Sequence, residues 1–236
     1  MLQAGTNRRA AITTLGCKIN TYESAIIAQK LQKDNWTVVS SRDAADLYVI
    51  NSCTVTAEAG RQTRQEIRRA INRNPNALVV VTGCYAEMEP SACEAIPGVD
   101  LVIGNHDKLS LVDRLKDYPR KESKQGSLIT VRNQSDREFL NGYSGRTRAF
   151  VQIQQGCDQS CTFCVIHEAR GASQSFVLSE VKDQIELLLE NGYREIVVCG
   201  IDLGSWGEDF HEEGRARNSN LTNLLQQISL LQGDYR

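Results

Sequence analysis

Residues 47–87 read LYVINSCTVTAEAGRQTRQEIRRAINRNPNALVVVTGCYAE. An uninterrupted apolar run, "LYVIN", leads at once to a cysteine. A long polar stretch of helical period follows, then a second apolar run, "LVVVTG", and another cysteine. A strand with one wet face would alternate apolar and polar residues. Continuous apolar strands separated by helices instead imply a parallel sheet covered on both faces.

The same unit recurs on either side. "AAITTL" precedes "NTYESAIIAQKLQKDN", "LVVVTG" precedes "EMEPSACEAI", and "DLVIG" precedes "KLSLVDRLKD". Residues 1–117 therefore read as an α/β domain, a Rossmann-like or flavodoxin-like parallel sheet. Residues 118–147 turn polar and read as a linker, with a hairpin possible through "SLITVRN". Residues 148–236 resume the alternation: strand "RAFVQIQ", helix "LSEVKDQIELLLENG", strand "REIVVCG", helix "LTNLLQQISLLQG". These are two β–α units of a TIM-type barrel. A complete one takes roughly 250 residues, so this second domain is expected to be incomplete.

The 236 residues are 41% hydrophobic and 24% charged, an ordinary globular balance. A net charge of −2 and a pI near 6.0 carry no global nucleic-acid signature, so RNA binding would need a local basic patch. "MLQAGTNRRAAITTL" lacks the apolar core of a signal peptide, and runs such as "ALVVV" are too short to span a bilayer. The eight cysteines accordingly read as reduced thiols of a cytoplasmic protein, available for metal or redox work.

Two sets of three cysteines stand out. "QGCDQSCTFCVIH" places Cys157, Cys161 and Cys164 directly after a strand, where α/β folds bind ligands. Three thiolates on a [4Fe–4S] cluster would leave one iron open for a substrate or cofactor. The spacing also admits a zinc site completed by His167, or merely reduced cysteines. Cys17, Cys53 and Cys84 share another setting, each following an apolar run and preceding a helix. Ends of parallel strands lie along one edge, so these three thiols are expected to converge there. The competing reading is three unrelated loop cysteines. Cys93 and Cys199 lack that setting and read as packed residues.

The C-x₃-C-x-Phe-C stretch, with Phe163 as its aromatic, resembles the signature of radical S-adenosylmethionine enzymes. An α/β domain with three cysteines ahead of such a motif is similar to the methylthiotransferases. "LGCKINTYES" and "NSCTVTAEAGRQTRQEIRRA" look most like the branch acting on threonylcarbamoyladenosine beside the tRNA anticodon. The alternatives are the sister branches for isopentenyladenosine and for a ribosomal-protein aspartate, or a non-catalytic zinc or iron–sulfur protein. The resemblance implies two [4Fe–4S] clusters, one on each triplet, S-adenosyl-L-methionine on the second, a tRNA substrate and an electron donor. It also suggests Phe163 and, in "VVCGIDLGSWGED", Gly200 and Asp202 as cofactor contacts. His167, Glu168 and Gln174 depart from the family pattern, whereas Arg170 and Gly171 keep it. Arg61, Arg64 and Arg68 recur at helical i, i+3, i+7 spacing and would track RNA phosphates, or else form a solvated face with Glu66 as counter-charge. His106 and His211 have only turn or surface readings.

Overall fold

A computed structural model describes residues 8–118, 138–210 and 220–236. The proposed hairpin through "SLITVRN" and His211 lie outside the described residues. The chain divides into two compact units, Met1–Arg137 and Glu138–Arg236.

The first unit contains β1 (Arg8–Thr14), α1 (Lys18–Lys33), β2 (Trp36–Val39), β3 (Leu47–Ser52), α2 (Ala57–Arg73), β4 (Leu78–Gly83), α3 (Cys84–Met88), α4 (Pro90–Glu94), β5 (Leu101–Ile103) and α5 (Leu111–Asp117). The strands pair in parallel in the order β2-β1-β3-β4-β5, the flavodoxin-like order. Burial follows from the apolar runs. Leu47, Val49 and Val80 face Ile27, Leu31 and Leu111 on one side. Tyr48, Ile50, Val79 and Val81 face Ile67, Ala70 and Cys93 on the other. Each of the buried Leu, Ile and Val side chains contributes about 1.5–3 kcal/mol by leaving water.

α2 opens where the Thr56 side chain accepts a hydrogen bond from the Ala59 amide at 3.1 Å, and it buries Gly60, Thr63, Ile67 and Ala70 at helical spacing. It stops at Asn74, ahead of Pro75.

Two details depart from the sequence reading. "WTVV" forms the edge strand β2, too short to register as a separate apolar run. "EMEPSACEAI" is not one helix, because the chain breaks at Glu89 and Pro90 restarts it as α4, while α3 begins at Cys84 itself.

The second unit contains β6 (Arg148–Gln152), β7 (Gln154–Gln155), α6 (Ile166–Arg170), β8 (Gln174–Ser175), α7 (Leu178–Glu190), β9 (Glu195–Cys199) and α8 (Leu221–Ser229). β6 and β9 are parallel with Phe150 beside Val197, and α7 makes the crossover. β7 and β8 form a small antiparallel ribbon at the end of β6. Residues 138–147, polar enough to read as linker, pack within this unit. The Leu140 backbone exchanges two hydrogen bonds with Gln184, at 2.7 and 2.8 Å, and the Tyr143 hydroxyl donates to the Phe150 carbonyl at 2.6 Å.

Candidate metal centres

The first triplet sits at the carboxyl ends of β1, β3 and β4, three neighbouring strands of one sheet. Cys53 follows β3 directly, Cys84 follows β4 directly, and Cys17 follows β1 after a Leu15–Gly16 turn. The sheet reverses its winding between β1 and β3, where folds of this order bind ligands. Gly16 has φ +93°, and a Cβ there would lie 2.8 Å from both Cβ and Sγ of Cys53, so the Cys17 turn rests against Cys53. Gly83 is likewise in the left-handed region, and a Cβ there would strike the Ser52 backbone.

The environments of the three thiols differ. Cys17 is exposed, whereas Cys53 and Cys84 are buried. Burial pushes the Cys53 thiol up. The Val55 and Thr54 amides pull it down, while the proximity of Cys84 and Cys17 raises it further. Asn105 donates from Nδ2 to the Cys84 sulfur at 3.4 Å. Cys93, by contrast, is fully buried in the core, and Cys199 donates to the Val151 carbonyl at 3.5 Å.

The second triplet lies in the loop between β7 and β8. Cys161 and Phe163 are exposed, Cys157 and Cys164 half-buried. Cys157 donates its amide to the Gly171 carbonyl and Cys164 its amide to the Cys161 carbonyl, both at 3.0 Å. The Cys157 sulfur accepts from the Gln159 amide at 3.4 Å. His167 faces Glu168, with Nε2 3.6 Å from the carboxylate, and its buried Nδ1 has no hydrogen-bond partner among the described residues.

Among the described residues no three His, Cys, Asp or Glu side chains are gathered closely enough to hold an ion as they stand. What the structure brings side by side in the first unit is three strand ends and the turns that carry Cys17, Cys53 and Cys84. The donor sets suit iron–sulfur ligation: three thiols at adjacent strand ends, and three in a short loop beside an exposed aromatic.

Gln154 escaped the sequence reading. Its buried amide donates to the Gly156 carbonyl at 2.7 Å and to Ser173 Oγ at 2.9 Å, and its Oε1 accepts from the Ile201 and Asp202 amides, both at 2.9 Å. It thereby ties the cysteine loop to the stretch containing Gly200 and Asp202. Asp202 also accepts from the Ser205 hydroxyl at 2.9 Å. The only sequence signal was a glutamine closing an otherwise strand-like run.

The arginines of α2 are not a uniform row. Arg61 is exposed and paired with Glu58 at 2.6 Å, holding that carboxyl down to about 2. Arg64 donates to the Tyr85 hydroxyl at 2.7 Å with its guanidinium 5.6 Å from the ring centre. Arg68 is exposed, and Glu66 pairs with Arg69. Among the described residues no helix is long and apolar enough to cross a membrane.

A flavodoxin-like sheet ending three adjacent strands in cysteines, followed by a C-x₃-C-x₂-C loop at a strand end, makes this chain a homologue of the methylthiotransferases. Within that class it is similar to proteins named "Threonylcarbamoyladenosine tRNA methylthiotransferase MtaB". It is 39% identical to the one from Bacillus subtilis over 92% of this chain and 48% of that protein. The Aquifex aeolicus protein of the same name is 36% identical over 95% of this chain and 54% of its own. A "tRNA-2-methylthio-N(6)-dimethylallyladenosine synthase" of Desulfotalea psychrophila is 30% identical over 94% of this chain. The chain thus spans about half the length of the curated relatives it matches. Residues 9–104 match a family described as "Uncharacterized protein family UPF0004". Among solved structures, the radical S-adenosylmethionine methyltransferase TsrM from Kitasatospora setae, with cobalamin and a [4Fe–4S] cluster bound, covers 94% of this chain and 51% of its own. Its TM-score is 0.56 at 16% identity, a likeness of fold.

Proposed function

We propose that this chain carries the two iron–sulfur-binding parts of a tRNA methylthiotransferase that modifies carbon 2 of threonylcarbamoyladenosine beside the anticodon. Cys17, Cys53 and Cys84 hold an auxiliary [4Fe–4S] cluster, and Cys157, Cys161 and Cys164 hold the cluster that binds S-adenosyl-L-methionine. The observation that carries this reading is the placement of three cysteines on adjacent strand ends of a chain 39% identical to such an enzyme.

When bound, these groups supply an electron and an adenosyl radical for an unactivated C–H bond, and the sulfur to be inserted, so side-chain acids and bases need not do the chemistry. The protein's own part is binding and orientation. Gln154 fixes the mouth of the cysteine loop against the Ile201 and Asp202 amides. Phe163, Gly200 and Asp202 contact the cofactor. Asn105 gives a hydrogen bond to the Cys84 sulfur, the kind of contact that tunes cluster potential. Arg68 and Arg61, exposed on α2, meet tRNA phosphates with Arg64 behind them. An external electron donor completes the reaction.

Anaerobic reconstitution should give a brown protein with about eight irons and matching sulfide, and Cys→Ala changes in either triplet should remove about half. Stoichiometric zinc without sulfide would refute the assignment. Mass spectrometry of tRNA nucleosides should then show 2-methylthio-threonylcarbamoyladenosine in a strain lacking its own enzyme and expressing this chain joined to the remaining half of a relative. Methylthiolated isopentenyladenosine instead would place the substrate in the sister branch.

A further inference from the structure

Ser52, fully buried at the end of β3, is linked to the turns of all three cysteines in the first triplet, to that of Cys17 through Asn20. It precedes Cys53 in the chain. Its carbonyl accepts from Asn20 Nδ2 at 2.9 Å, and the same amide nitrogen donates to the Leu15 carbonyl at 2.6 Å, inside the Cys17 turn. Its hydroxyl donates to the Thr82 carbonyl and accepts from the Tyr85 and Ala86 amides, both at 3.2 Å. One donor and two acceptor positions are all a serine hydroxyl has, and all three are used.

The Tyr85 and Ala86 amides are among the first of α3, which no intrahelical carbonyl can satisfy. An N-cap side chain normally takes that role, but the N-cap here is Gly83, with no side chain to offer. Ser52 takes it from the neighbouring strand, so the helix that opens with Cys84 is fastened to the residue beside Cys53. A cap supplied across strands does what a local cap would not: it fixes the spacing between two cysteine turns. Asn20 extends the same fixture to the third.

We propose that Ser52 is a positioning residue for the first metal centre, setting the mutual spacing of Cys17, Cys53 and Cys84 so that they close on one cluster; this rests on the assignment of a cluster to those cysteines. Residues that orient metal ligands from outside the coordination sphere typically change metal affinity by about 10–100-fold when removed.

The test uses the whole chain with Cys157, Cys161 and Cys164 changed to Ala, so that iron, sulfide and the spectrum of the reduced cluster report on the first triplet alone. This parent should take up about four irons. Ser52→Ala should lose them to a chelator about 10–100-fold more readily and shift the electron paramagnetic resonance line shape. Ser52→Thr, which keeps the hydroxyl, should behave as the parent. In the reverse background, with Cys17, Cys53 and Cys84 changed to Ala, Ser52→Ala should leave the other cluster untouched. Equal retention in parent and Ser52→Ala overturns the proposal, as does a Ser52→Thr as defective as Ser52→Ala. A parent that takes up no iron overturns the cluster assignment and this proposal with it. Should Ser52→Ala fail to fold, Asn20→Leu removes the bonds from Asn20 to the Ser52 and Leu15 carbonyls; weakened retention is expected there too, and unchanged retention overturns the proposal.

Discussion

Gln154 shows how much one buried amide can hold. Its oxygen satisfies two backbone amides, of Ile201 and Asp202, and its nitrogen reaches Gly156 and Ser173. A Gln154→Leu change keeps the volume and strands those groups, at about 1–3 kcal/mol for each that stays buried. Iron on the second triplet should fall while iron on the first stays, read by metal analysis of single-triplet variants. Cys93 makes the opposite point. Burial, with the Glu94 and Glu89 carboxylates adding to it, pushes its thiol from 9.0 up to about 12. The unfolded chain gives up this proton near the lower value and the folded chain only near the upper one. Its contribution to stability is thus intact below about pH 9 and lost as pH rises towards about 12. Urea unfolding should show stability falling over that window, with a flatter fall in Cys93→Ala, and Cys93 should resist thiol reagents until the chain unfolds.

Elements are joined here by polar contacts that no periodicity reveals. Lys108 and Glu23 form an ion pair at 2.6 Å with side chains 1% and 3% exposed, linking α1 to the turn after β5. Breaking such a pair leaves a buried charge, so Lys108→Met or Glu23→Leu alone should cost about 3–5 kcal/mol, and the double change much less. A double-mutant cycle by urea denaturation checks this. β3, β4 and β5 were legible because each is a continuous apolar run buried almost throughout. The helix starts were legible where a cap such as Thr56 stands. β2 was not, since four edge residues beginning with Trp36 make no run. The placement of six cysteines, at strand ends and in one short loop, could be read because thiols recur there in a fixed setting. Ser52, Asn105 and Gln154 could not, because serine, asparagine and glutamine at strand ends also serve ordinary turns. Their hydrogen bonds run between segments distant in sequence, as from the Tyr85 amide to Ser52 or from Asn105 to Cys84, and no local pattern records them.

At the scale of the whole chain, the two units differ in how well they cover their strands. β3 is buried at every position, and β4 at all but its first. β9 has four half-buried residues before Cys199, although "EIVVC" is as apolar at its centre as "LVVV". Among the described residues β9 pairs along its length only with β6. On its other side the Ile196 amide reaches the Arg236 carbonyl at 2.7 Å, and the Arg236 amide the Arg194 carbonyl at 2.9 Å. Apolar strand surface left open to water gains little from burial, and a strand edge with few partners opens easily. Amide hydrogen exchange should therefore rank β3 and β4 slowest, β6 next and β9 fastest, with the opening free energy of β9 well below that of the first unit. Mass spectrometry of peptides spanning 47–52, 78–83, 148–152 and 195–199 resolves that order. Equal protection in all four, in a protein that sediments as a monomer, would show that β9 is as well covered as β4 and that the second unit is not the weaker one. Slow exchange at β9 that disappears on dilution would instead mean that a second copy of the chain covers it.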